Sequence, residues 1–136
     1  MARSALFETL KSWAISSLGV IQALFEGSMY AFVLMWTPSL STEDSNIPHG
    51  LIFSALMLSV MVGSLVNDLI KPTLVTILTV SACALSLVAF IEDPIVRLVL
   101  FGTFEACVGA FWPVMASLRS KYVPENARCA VLSIFR

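Results

Sequence analysis

Charged residues are scarce in this sequence. They make up 12% of its 136 residues, about half the share of an average soluble domain. Hydrophobic residues reach 58%, and the mean hydropathy is +0.90. That balance excludes an ordinary water-soluble core and favours a chain whose solvent is largely lipid. The net charge of −1 leaves no basic surface for nucleic acid. Histidine occurs once, at His49, so a zinc site lacks its usual partners. The three cysteines, Cys83, Cys107 and Cys129, have no C-x-x-C spacing and read as small packing residues. There is no G-x-G-x-x-G, P-loop, G-x-S-x-G or H-E-x-x-H. No enzyme, metal or cofactor is expected. The N-terminus does not read as a cleavable signal peptide, because the first apolar stretch is roughly twice the length of a signal h-region and carries a glutamate.

Long apolar runs are what the sequence does have. Four stretches approach or exceed the roughly 20 residues needed to span a bilayer: residues 13–36, 50–70, 73–91 and 95–118. A fifth, 130–136, stops after barely two turns, which reads as a piece of a longer protein. Lipid offers no hydrogen bonds, so each span is expected to be α-helical. The fold class is therefore an all-α membrane protein, with four transmembrane helices and the start of a fifth. Trp13 and Trp36 bracket the first span as interfacial anchors. Short connections at "IKP" and "EDP" imply antiparallel neighbours, and "TPSLSTEDSNIPH" is the longest link between spans. Arg3, Lys11, Lys71, Arg119, Lys121 and Arg128 fall on one side, against Arg97 alone on the other. The positive-inside rule then puts the N-terminus and the loop 119–128 in the cytoplasm.

Two spans carry a glutamate near the middle. A carboxylate there opposes insertion by about 2.5–3.5 kcal/mol, and each Leu, Ile, Phe or Val returns about 0.3–0.6. Roughly ten such neighbours outweigh one charge, so both spans insert, with the carboxyl facing protein or water. In the first span Ser12, Ser16, Gly19, Gln22, Glu26, Tyr30 and Thr37 fall on helical steps and form a polar stripe. In the fourth, Gly102, Glu105, Gly109, Trp112 and Ala116 share a face whose small residues admit another helix. Pro113 is expected to kink that span. Glu26 and Glu105 are candidate proton or substrate-pathway groups, because a carboxyl that changes state can carry a proton. The bland alternative is that they only bond neighbouring helices. The segments also echo each other: "FEGSMYAF" and "FEACVGAF" share F-E-x-x-x-x-A-F, three spans apart, as inverted-topology repeats require.

The runs "FEGSMYAFVLMWTPSL", "HGLIFSALM" and "SLRSKYVPENARCAVLSIFR" resemble the C-terminal half of the molybdate-anion transporter family of the major facilitator superfamily. The likeness covers the chain from Leu10 onward. It implies that the spans are the seventh to tenth helices of a twelve-helix, two-bundle transporter, within the C-terminal six-helix bundle. The implied mechanism is alternating access and the implied substrate a small anion such as molybdate. The N-terminal bundle and the remaining C-terminal helices are then the missing partners, and the plasma membrane is the expected location. Glu26, Ser28 and Tyr30 match the family's seventh-helix motif, to which Gln22 adds a polar neighbour. Arg119, Pro124 and Glu125 match its tenth-to-eleventh loop. With Lys121 and Arg128 they form a candidate cytoplasmic gating loop. Arg136 sits where the family resumes with an aromatic–arginine pair, in place to meet an oxyanion. The superfamily's G-x-x-x-D-R/K motif is altered in "GSLVNDLIK", where Asp68 falls one place late. Two other readings stand beside this one. A small four-helix proton-coupled drug antiporter also carries a first-span glutamate, and a non-transporting tetraspan scaffold needs carboxylates only to bind partner helices.

Overall fold

The computed structural model describes residues 13–41, 48–123, 125, 129 and 133. It contains four long helices: α1 (Trp13–Leu40), α2 (His49–Ile70), α3 (Leu74–Val88) and α4 (Pro94–Tyr122). No strand occurs among the described residues. The all-α class expected from the sequence is what forms, and α1, α2 and α4 are long and apolar enough to cross a bilayer. α3 has 15 residues, about 22 Å at 1.5 Å per residue, short of a hydrocarbon core of about 30 Å. The expected span reached residue 91. Beyond Val88 the chain instead tightens into a turn, with Ala89 N donating to Ser86 O and Phe90 N to Leu87 O. Of the expected fifth span, only Ser133 lies within the described residues.

Local chemistry sets the helix ends. Asp93 starts α4: its Oδ1 accepts from Ile95 N at 2.8 Å and Val96 N at 3.1 Å. Pro94 supplies the first helical residue, where a missing N–H costs nothing. Thr73 caps α3 by accepting from Thr76 N. α2 stops at Lys71, which takes a left-handed conformation (φ 50°) while its N–H donates to Asn67 O. Pro72 forbids helical continuation, so the chain accepts a conformation usually left to glycine. α1 runs past Trp36 to Leu40 despite Pro38. Proline gives up only its own N–H and crowds the carbonyl one turn back, and the helix end is secured by Ser41, which bonds back to Thr37 O through both N and Oγ. α4 is likewise one helix through Pro113.

The chain divides into two compact units, residues 31–114 and residues 1–30 with 115–136. In the first, α4 meets α2 at backbone distance. A Cβ placed on Gly63 would lie 1.8 Å from Ala106 O, and one on Gly109 would lie 1.9 Å from Val60 O. Each helix thus supplies a glycine over which the other's carbonyl passes, the close approach that small residues permit in membranes. Gly102, where an added Cβ would lie 3.2 Å from Ser59 Oγ, continues the same contact. The small-residue face expected on the fourth span is therefore occupied, and α2 is its partner. Around it Phe32 packs edge-on against Phe101 (5.2 Å) and tilted against Phe104 (5.3 Å). Leu56, Phe104 and Phe111 are fully buried. At one end Arg97 donates to Ile91 O and, at 2.9 Å, to Ser39 O in the last turn of α1. There it meets the negative end of the helix dipole.

The second unit buries Ile15, Leu18, Gln22 and Phe25 of α1 with Met115 and Val123. Outside both cores the helices remain apolar: Leu51, Leu58, Met61, Leu65, Leu69 and Val75 are all exposed. An apolar surface this extensive suits lipid or a protein partner, not water. Gly109→Ala should lower stability by about 3 kcal/mol or more, because the helices must separate to admit the methyl. Gly27→Ala, whose added Cβ meets nothing, should be neutral or gain about 0.5–1 kcal/mol. Thermal unfolding in detergent compares the two directly.

Candidate functional site

Polar side chains in these helices mostly satisfy themselves. Ser28 Oγ donates to Leu24 O, Ser59 Oγ to Ala55 O and Thr103 Oγ1 to Val99 O. Each hydroxyl folds back on the preceding turn, which removes it as a free group in an apolar medium. Ser28 is thereby a helix-bonded hydroxyl. Tyr30 is 71% exposed, so the polar stripe of α1 runs off the flank of its buried face. That face is the ridge Ile15, Leu18, Phe25, Phe32 and Leu40.

Gln22 belongs to this ridge and is 4% exposed. Its Nε2 donates to Glu26 Oε1 at 2.8 Å, one helical turn along. Its Oε1 accepts from Arg119 Nη1 at 3.0 Å, near the far end of α4. The result is a continuous chain, Arg119–Gln22–Glu26. Its polarity is fixed by chemistry: a guanidinium can only donate, so the amide turns its oxygen to Arg119 and its nitrogen to Glu26. Arg119 lies in the last turn of α4, and its side chain reaches back to a buried amide. The sequence placed Gln22 and Glu26 in one group and Arg119 in another; the structure brings them together. The spacing of 97 residues left no local signal for that contact.

Glu105 lies in the other unit, in the middle of α4, and is 7% exposed. No hydrogen bond reaches its carboxyl among the described residues. Its surroundings include the buried side chains of Phe101, Phe104 and Val108 on the same helix. Lys121 is exposed, with Nζ 5.6 Å from the Tyr122 ring centroid, an adjacent cation–π contact. Glu125 is exposed and has a partner. Arg128 and Arg136 lie outside the described residues, as do Ser12 and Pro124. No cluster of His, Cys, Asp or Glu fit to hold a metal occurs among the described residues.

Similarity to known proteins gives this geometry a context. A family model described as sugar transporters with twelve transmembrane segments matches residues 3–108. The molybdate-anion transporter of Xenopus laevis is 33% identical over 93% of the chain, which corresponds to 31% of that protein. The molybdate-anion transporter of Xenopus tropicalis is 32% identical over the same shares. That of Danio rerio is 32% identical over 88% of the chain and 27% of its own length. The chain thus spans about a third of the length of the curated relatives it matches. No solved structure matches. A chain of long apolar helices, matched over residues 3–108 by that model, belongs to this twelve-segment transporter family of the major facilitator superfamily, among relatives named molybdate-anion transporters.

Proposed function

We propose that this chain is part of a secondary active transporter that carries an oxyanion such as molybdate by alternating access. The observation that carries the reading is the Arg119–Gln22–Glu26 chain, which joins the last turn of α4 to a buried amide and a carboxyl within the apolar α1. Ionisable groups at such positions are costly and mark ion or substrate paths. The family description speaks of sugars and the curated relatives of molybdate. A guanidinium in this polar chain favours the anion, because a sugar needs no compensating charge. Membership in a transporter family also favours this reading over a small drug antiporter or a tetraspan scaffold.

In this mechanism α1 and α4 are cavity-lining helices, the seventh and tenth of the full protein. Glu26 is the group that changes proton occupancy between the two access states, and Glu105 is a second carboxyl on the path. Tyr30 and Ser28 line the approach on α1. Lys121, Glu125 and Arg128 bridge helix ends on the cytoplasmic side, and Arg136 lies farther along the route. The N-terminus of the chain and loop 119–128 face the cytoplasm, in the plasma membrane, and the N-terminal bundle forms the opposite wall.

In full-length protein, Glu26→Gln should lower the rate of radiolabelled molybdate uptake by about tenfold or more, the scale of one lost charge-assisted interaction. It keeps an acceptor for Gln22 and so preserves packing. Full uptake by this variant would remove Glu26 from the mechanism, and glucose uptake in its place would reassign the substrate. Expressed as these 136 residues alone, the chain should carry no flux in proteoliposomes, since it spans about a third of its relatives. Saturable uptake by the isolated chain would show that the second bundle is dispensable.

A further inference from the structure

Arginine 119 is paired in an unusual way for a charge held against a buried group. Its one hydrogen-bond partner among the described residues is the neutral carbonyl of Gln22. A buried or half-buried guanidinium normally takes a carboxylate, because an uncompensated charge in low dielectric is expensive. Here a carboxylate is close at hand, one helical turn beyond, and it binds Gln22 instead. The amide acts as a spacer: it holds the guanidinium in place and keeps it apart from the charge that would neutralise it. Of the five N–H donors of Arg119, one is used by Gln22. Among the described residues no buried side-chain nitrogen lacks a partner, so the remaining donors of Arg119 reach the half-exposed surface on which it lies.

We infer that Arg119 is the anchor for a tetrahedral, doubly charged oxyanion, and that Gln22, held by Glu26, is the residue that positions it. The assignment rests on the transport reading given above and deepens it by naming the anion's partner. A planar guanidinium presents parallel donors that match two oxygens of such an anion, with charge assistance that a lysine supplies only as a point. The positive charge stays available because its protein partner is neutral. The relay also explains the burial of Gln22. An amide clamped at both ends loses its rotational freedom, so the guanidinium waits in one orientation and the anion need not order it on binding. A carboxylate at position 22 would bond Arg119 directly, although it would also meet the Glu26 carboxyl one turn along. It neutralises the cation, so an anion site loses affinity for its ligand, whereas a purely structural tether leaves affinity unchanged.

The test uses full-length protein in proteoliposomes, with radiolabelled molybdate as the probe and thermal unfolding in detergent as a check on folding. Gln22→Glu should raise the KM for molybdate about tenfold or more in protein that still unfolds cooperatively. Arg119→Gln should raise KM at least as far, and Arg119→Lys should fall between it and the parent. Molybdate should raise the unfolding temperature of the parent protein and leave that of Arg119→Gln unmoved. A KM within twofold of the parent in Gln22→Glu or Arg119→Gln, with uptake intact, overturns the anchor and leaves the transport reading standing. If Arg119→Gln does not fold, Gln22→Glu decides alone. Absence of molybdate uptake by the parent protein overturns both.

Discussion

The packing of residues 31–114 depends on two helices meeting at backbone distance. Lipid tails are as apolar as leucine, so burying leucine against leucine gives membrane helices little reason to associate. What remains is contact area, and contact area grows as axes approach. Gly63 and Gly109 make the approach reciprocal, each lying under a carbonyl of the opposite helix. Because the neighbouring hydroxyls of Ser59 and Thr103 bond to their own helices, the crossing carries no polar demand of its own. The rest of the unit follows from this closeness. The aromatic cluster of Phe32, Phe101 and Phe104 can close beside it, and half of α4's apolar stretch is buried, against 22% of α1's.

Polarity is then confined to a few places where it links distant parts of the chain. Arg97 joins the α3–α4 connection to the end of α1 through carbonyls of the backbone. Arg119 joins the end of α4 to a buried amide of α1. The two arginines differ in what they meet. Arg97 meets carbonyls at a helix C-terminus, which complement a cation electrostatically and complete an otherwise open helix end. Arg119 meets a side-chain amide whose other end is already engaged. The first arrangement is a cap. The second sits in the last turn of α4, where the helix dipole also favours a cation, but its hydrogen bond goes to a side-chain amide and leaves its other donors for a ligand.

Much of the fold was legible because hydropathy acts locally. Helix limits could be read to within a few residues at "IKP" and "EDP", where proline restricts its predecessor and Asp93 offers a ready cap. The end of α1 was less legible, since Pro38 reads as a stop although a helix tolerates it in the last turn. The small-residue face of α4 was visible, but its partner was not. Gly63 read only as the start of the altered G-x-x-x-D-R/K pattern, and the tertiary crossing gives it a packing role. The same limit applies to the site. Gln22 and Glu26 one turn apart on a helix follow from spacing alone. Arg119 does not, because a contact across 97 residues depends on how helices are arranged, which periodicity does not encode.

The shared pattern F-E-x-x-x-x-A-F gains a physical meaning from burial. Its two phenylalanines are seven residues apart, so they fall on one face, and all four of them, Phe25, Phe32, Phe104 and Phe111, are buried. The glutamate follows the first phenylalanine and therefore sits about 100° around the helix from that ridge. A carboxyl in this register lies on the flank of a packed face, turned away from the most lipid-exposed side. On α1, where little else is buried, the flank is half open, and Glu26 binds Gln22 there. On α4, packed more widely, the same register encloses Glu105. One pattern thus produces two environments, and the difference comes from how many neighbours the helix has. The motif places the carboxyl, and tertiary packing decides whether it faces a polar partner or a closed apolar wall.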